Sequence, residues 1–190
     1  MLQCKTGMVE QIFAATERLM ARDGFHQLSM HKIAKEAQIS PGTIYIYFKS
    51  KEKLLERLAH YVFDQFTCCL KYKHNREAPL FEQYHQMWWN LWHLLHDNPN
   101  LVLNMHQYQA LPGFETLLQQ YKTDENNTWR RFCSMAKQAN MLCNMSDDIL
   151  FTLSLESAVN LAFKSVSEKQ EFDVALLESV IQRTWNCIQK

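Results

Sequence analysis

The sequence predicts an all-α protein, and three observations carry that expectation. Apolar residues recur three and four positions apart along most of the chain, the spacing of one helix face, and no stretch alternates as a strand would. Four Gly and four Pro in 190 residues leave room for long uninterrupted helices. Hydrophobic residues make up 47% and charged residues 21%, the balance of a chain that buries a core.

The first helix is expected from about Thr6 to Arg22, with Val9, Ile12, Phe13, Thr16, Leu19 and Met20 as its buried stripe. Asp23-Gly24 ends it, since Gly is free to take positive φ. Phe25 and Leu28 then pack the connection to a second, short helix, where Met30, Ile33, Ala34 and Ala37 share one apolar face and Ser29 stands ready as N-cap. A third helix is signalled by Ser40-Pro41, a cap followed by a residue whose missing N–H costs nothing at the first helical position. Ile44 and Phe48 face inward with Ile39, which leaves Pro41, Gly42, Thr43, Tyr45, Ile46 and Tyr47 on the outer side. A short, polar-tipped and aromatic second helix after a tight turn is the shape of a recognition helix in a helix-turn-helix.

The residues Ile33-Ala34 and the run from Ile39 through Ser40-Pro41-Gly42-Thr43-Ile44-Tyr45-Ile46-Tyr47-Phe48-Lys49-Ser50-Lys51-Glu52-Lys53-Leu54-Leu55 closely resemble the DNA-binding signature of TetR-family transcriptional regulators. The match extends from about Val9 to Leu58. The resemblance implies a three-helix headpiece at residues 1–53, joined by a long fourth helix to a helical ligand-binding and dimerisation domain at 54–190. It also implies that Ser29, His31, Lys32, Pro41, Gly42, Thr43, Tyr45, Tyr47 and Lys51 face DNA. Thr43 and the tyrosine hydroxyls can donate to phosphates, Gly42 permits close backbone approach, and Lys51 adds charge where helix-terminal N–H groups already favour an anion. His31 sits where the family often places a base-reading side chain. Where many relatives carry polar or basic residues this chain has Pro41 and Ile46, so direct base readout by hydrogen bonds is expected to be sparse and contact with thymine methyls to matter more. Packing within the headpiece is the competing role for Tyr45 and Tyr47.

Charge agrees with that division only modestly. The whole chain is neutral, which taken alone argues against a nucleic-acid partner. Residues 1–58, however, hold nine Lys/Arg against six Asp/Glu, a balance of +3, and the remainder holds 20 − 9 = 11 against 20 − 6 = 14, a balance of −3. A mildly basic headpiece on an acidic body suits an electrostatic contact confined to one end.

Ser50 is expected to cap the fourth helix, Lys51 to about Lys73, whose stripe runs through Leu54, Leu55, Leu58, Tyr61, Val62, Phe66, Cys69 and Leu70. This helix links headpiece to body. After Pro79 comes a helix rich in aromatics, with Phe81, Tyr84, His85, Met87, Trp88, Trp89, Trp92, His93 and His96, stopped by Asn98-Pro99. A short helix over about Asn100–Gln109, a long one over about Phe114–Met141, another from Ser146-Asp147-Asp148 to about Val166, and a last one opened by Asp173 complete the chain. The aromatic region corresponds to the part of the family that lines an inducer cavity. Trp88, Trp89, Trp92, Met105, His106 and Tyr108 are therefore candidate ligand contacts, with an ordinary filled core as the competing reading. Small residues among Leu and Ile in the last two helices allow close approach, and the family builds a two-fold four-helix bundle there. Leu153, Ser157, Leu161, Leu177, Ile181 and Trp185 are the candidate dimer contacts, with an intramolecular helix pair as the alternative.

Other chemistry finds little support. His85, His93, His96 and His106 have no carboxylate or thiol companion at ligand spacing except Asp97, so no metal site is expected. Six Cys (4, 68, 69, 133, 143, 187) form no CxxC pair and fit free thiols in a reducing cytoplasm. Cys68-Cys69 as a redox sensor is disfavoured, because adjacent cysteines on a helix point different ways. No catalytic constellation, phosphate loop, cofactor motif, bilayer-spanning run or N-terminal apolar leader stands out. The sequence thus predicts a cytoplasmic, homodimeric, sequence-specific DNA-binding regulator, a repressor released from a near-palindromic operator by a small apolar or aromatic ligand. The alternative is a small-ligand-binding or interaction module whose headpiece no longer binds DNA.

Overall fold

The computed structural model describes residues 7–190; Cys4, the expected helix start at Thr6 and the N-terminal stretch read for a leader lie outside the described residues. Every element formed among the described residues is helical, apart from one isolated bridge between Leu142 and Gln189. The helices are α1 (Met8–Asp23), α2 (Met30–Glu36), α3 (Pro41–Tyr47), α4 (Lys51–Lys71), α5 (Leu80–His96), α6 (Pro99–Leu103), α7 (Met105–Tyr108), α8 (Phe114–Thr123), α9 (Thr128–Gln138), α10 (Asp147–Leu153), α11 (Glu156–Ser167) and α12 (Val174–Ile188). No single helix among the described residues is long and apolar enough to cross a membrane.

The chain divides into two compact units. One comprises the residues up to Val62 together with Leu103–Leu117, and the other comprises Phe63–Val102 and Leu118–Lys190. In the first unit α1 buries Ile12, Phe13, Ala15, Thr16, Leu19 and Met20, the expected stripe with Ala15 added and Val9 only half-buried. Met30, Ile33 and Ala34 of α2, Ile44 of α3, and Phe48, Leu54, Leu55 and Leu58 close the core over it. Phe13 is its centre, with its ring 5.6 Å from Phe48 and 5.0 Å from Tyr61.

A second set of contacts in this unit comes from far along the sequence. The Asn104 amide donates to the Glu17 carbonyl (2.8 Å), Gln107 donates to the Met20 carbonyl (2.9 Å) and accepts from the Phe25 N–H (2.7 Å). The buried Tyr108 hydroxyl donates to the Glu17 carboxylate (2.6 Å). Burial pushes the Glu17 carboxyl above its ordinary value, and the Tyr108 bond pulls partly the other way. The Met20 carbonyl thus accepts twice, from the Gly24 N–H and from Gln107.

In the second unit α11 packs along α5, α12 also packs against α5, and α10 bridges α9, α11 and α12. Ala158 and Ala162 are fully buried, so the small residues serve close approach within the protomer. Tyr84, Met87, Trp88, Leu91 and Leu95 of α5 fill the core with Phe132, Leu150, Ile181 and Trp185.

Three expected helices are each broken in two. The span 114–141 divides at Asp124-Glu125-Asn126-Asn127, where Asp124 accepts from the Asn126 N–H and Asn127 caps α9 by accepting from the Arg130 N–H. Short polar side chains bond the backbone there more readily than the helix does. The span 146–166 bends by 41° at Ser154, whose hydroxyl donates back to the Leu150 carbonyl. The span 100–109 divides at Asn104, which is fully buried and committed to α1. The fourth helix ends at Lys71, and the buried Asn90 caps it by donating to the Cys69 and Tyr72 carbonyls.

Candidate nucleic-acid interface

The turn between α2 and α3 is set by local chemistry. Ser29 caps α2 by accepting from the Lys32 N–H (3.3 Å), and Ser40 caps α3 by accepting from the Thr43 N–H (3.0 Å) with Pro41 at the first helical position. Between them α2 ends on a left-handed residue: Gln38 has φ of +56°, the Ile39 N–H donates to Ala34 (2.9 Å) and the Gln38 N–H to Lys35 (3.1 Å). That pair of bonds is the Schellman arrangement, here built on a non-glycine residue. Ile44 and Phe48 are buried, as their spacing predicts.

The opposite side of α3 is open. Pro41, Gly42, Tyr45, Ile46 and Tyr47 are exposed, Ile46 at 79%, and Thr43 is half-buried with its hydroxyl 2.8 Å from that of Ser40. His31 and Lys32 are exposed on α2, with the Lys32 ammonium donating to the Gln27 carbonyl (3.0 Å). Lys51 opens α4 after the Ser50 cap, which accepts from the Lys53 N–H. The nine candidate residues therefore lie on two neighbouring short helices and the start of a third, all within one compact unit.

Charges in this unit divide by role. Arg18 (2.8 Å) and Arg22 (3.3 Å) both pair with Glu36, tying α1 to α2, and Arg18 above all holds the Glu36 carboxyl below its usual range. Lys53 pairs with Glu56. Among the described residues Lys49 and Lys51 have no carboxylate within ion-pair distance, so these ammonium groups are free for an external anion. Exposed hydroxyls, uncommitted cations and a helix start are what a phosphate backbone contacts; an outward apolar side chain can meet a thymine methyl.

Two family models match the chain: "Bacterial regulatory proteins, tetR family" over residues 12–58, and "Tetracyclin repressor-like, C-terminal domain" over residues 79–189. The chain belongs to the TetR family. As such it is a helix-turn-helix transcriptional regulator, and the regulators of this family are not enzymes. An HTH-type transcriptional regulator of Haemophilus influenzae is 49% identical over 192 residues, covering all of both chains. The crystal structure of a TetR-family transcriptional regulator from Haemophilus influenzae matches with a TM-score of 0.88 and 48% identity, over 99% of this chain and 100% of that one. FadR from Bacillus subtilis, solved in complex with stearoyl-CoA, shares the fold at 23% identity, with a TM-score of 0.72 over 94% of this chain and 98% of that one.

The remaining candidates are placed differently. Trp88, Trp89 and Trp92 lie in the second unit, whereas Met105, His106 and Tyr108 lie in the first. Trp88 is fully buried and donates to the Ser157 hydroxyl (2.8 Å); Trp92 stacks on it at 6.0 Å. Trp89 is half-buried, donates to Glu178 (2.9 Å) and stacks on His93 (5.3 Å). Tyr108 is spent on Glu17, Met105 is half-buried and His106 is exposed.

Of the dimer candidates, Leu177, Ile181 and Trp185 are buried in the protomer's own core, Ser157 is turned to Trp88, Leu161 is half-buried, and Leu153 is exposed. The exposed apolar residues of these helices are Ile149, Leu153, Phe163, Val174 and Leu176. Sequence reasoning passed over most of them because three- and four-residue spacing marks an apolar face without saying which neighbour covers it. Burial also pushes the Cys69 thiol up to about 12, which keeps it protonated and unreactive.

Proposed function

We propose that this TetR-family chain is a cytoplasmic homodimeric repressor, released from a near-palindromic operator by a small apolar or aromatic effector. The observation that carries the DNA-binding part is the open face of α3: a capped recognition helix presenting Thr43, Tyr45, Ile46 and Tyr47 beside the unpaired Lys49 and Lys51. His31 would add a base contact from α2. The exposed apolar side chains on α10 to α12 supply a surface for a second copy, which would place two recognition helices about one helical turn of DNA apart. The effector part is supported by the aromatic content of α5 and by a protein of the same fold, FadR, that was solved with stearoyl-CoA. Effector and operator would then favour different members of a two-state equilibrium, and affinity for each would fall in the presence of the other.

Selection of bound sequences from a random duplex pool, repeated at two salt concentrations, tests the reading. The expected result is an inverted repeat whose affinity falls steeply with salt, because phosphate contacts release counterions. Recovery of nothing above background from folded protein would overturn it in favour of a ligand-binding or interaction module with a headpiece that no longer binds DNA.

A further inference from the structure

In the second unit the loop after α4, the start of α5 and one face of α9 enclose an open cleft of about 300 Å³, whose lining includes His74, Arg76, Gln83, Arg131, Phe132 and Met135. Although residues 59–190 carry a net charge of −3, the lining contains no Asp or Glu. Among the described residues neither Arg76 nor Arg131 has a carboxylate within ion-pair distance. Two like charges on one concavity repel each other unless an anion joins them.

A second observation points the same way. Gln83 is only 2% exposed, and its amide nitrogen is satisfied by the Arg76 (3.1 Å) and Ala78 (2.7 Å) carbonyls, yet its oxygen has no partner. The buried Nε2 of His74 is also without one. Burial, with Arg76 nearby, lowers the His74 pKa, and a contact with the Gln83 side chain pulls partly the other way. Buried polar atoms are normally paired, and these two have at most a weak contact with each other, beside two guanidinium groups.

We propose that this cleft binds a small organic anion, its carboxylate or phosphate head on Arg76 and Arg131 and its apolar part against the exposed Met135. The guanidinium fork matches both oxyanions, and the volume is at the small end of ligand sites, about 300–1,000 Å³. The proposal is independent of the operator and effector reading, because the cleft lining includes none of the residues named for either.

Calorimetric titration of the full chain with hexanoate, inorganic phosphate and hexanol tests it. Arg76→Ala and Arg131→Ala are the variants, and Arg183→Ala, on α12 and outside the lining, is the control for loss of one charge. Saturable binding of hexanoate or phosphate at one per chain is expected, weakened at least about tenfold by either cleft variant and unchanged by the control. Hexanoate without phosphate assigns the head to a carboxylate; phosphate alone assigns it to a phosphate. Hexanol binding as well as hexanoate, anion binding indifferent to both arginines, or no saturable binding by folded protein would each overturn the proposal.

Discussion

Ile46 holds a branched apolar side chain 79% exposed on α3, between Tyr45 and Tyr47, where burial against the protomer offers it nothing. Its stabilisation must come from outside, and the apolar feature a major groove presents is the thymine methyl. Replacing the thymines of the selected operator by deoxyuridine one at a time should weaken native binding about fourfold at one position of each half-site, the value of one buried methyl group. The Ile46→Ala variant should be insensitive to that replacement, and competition binding measures both. Tyr108 makes the opposite kind of contact, buried and polar. Its bond lowers a Glu17 pKa that burial raises above the ordinary 4.5, so the folded state binds this proton more tightly than the unfolded chain does. The stability tied to this group is therefore greatest below about pH 4.5 and declines as pH climbs through the raised value. Tyr108→Phe removes the donor that the ionised carboxylate needs more than the neutral one. Its destabilisation, about 1–3 kcal/mol at neutral pH, should shrink on acidification toward pH 4 when melting temperatures of variant and native chain are compared.

At the scale of elements, what was legible in the sequence was what is encoded locally. Ser29, Ser40 and Ser50 accept from N–H groups three residues on, each as its position predicts, and Pro41 stands at the first helical position of α3. The broken helices were not legible in the same way. Asn104 reads as a helical residue until its partner on α1 is known, 87 positions away, and Ser154 bends its helix through a bond that serines in straight helices also make. The helices α2, α4, α9 and α11 end without glycine, at Gln38, Lys73, Asn140 and Lys169 in the left-handed conformation that glycine usually announces, and the expected ends of the last three still fall within three residues of those observed. At Gln38 the strain is testable. Gln38→Gly should stabilise the headpiece by about 0.5–1 kcal/mol, the relief of the left-handed conformation exceeding the extra chain entropy of glycine. Urea unfolding followed at the headpiece would show it; an unchanged or lower midpoint would mean the Gln38 side chain contributes more than it strains.

For the whole molecule the open question is which surfaces meet a second copy. Leu176, 47% exposed on α12, is near enough to the chain's own core in sequence to read as part of it, since Leu177 beside it is buried. Leu176→Glu should convert a dimer to a monomer in sedimentation velocity and abolish operator binding, while circular dichroism stays native, because the carboxylate remains hydrated when the chain is alone. A variant that still sediments as a dimer would move the interface elsewhere. The part of the molecule that answers to DNA also has a consequence for heredity. Its compact unit is assembled from two separated stretches, one ending at Val62 and one spanning Leu103–Leu117, and Asn104, Gln107 and Tyr108 of the second hydrogen-bond α1 at Glu17 and Met20. Recombination that exchanges only the N-terminal third of such a gene would splice a foreign α1 onto resident partners for Glu17 and Met20. New operator specificity would then spread by graft only between parents that share this remote tripeptide-like docking pattern, and by point substitution on α3 in all the others.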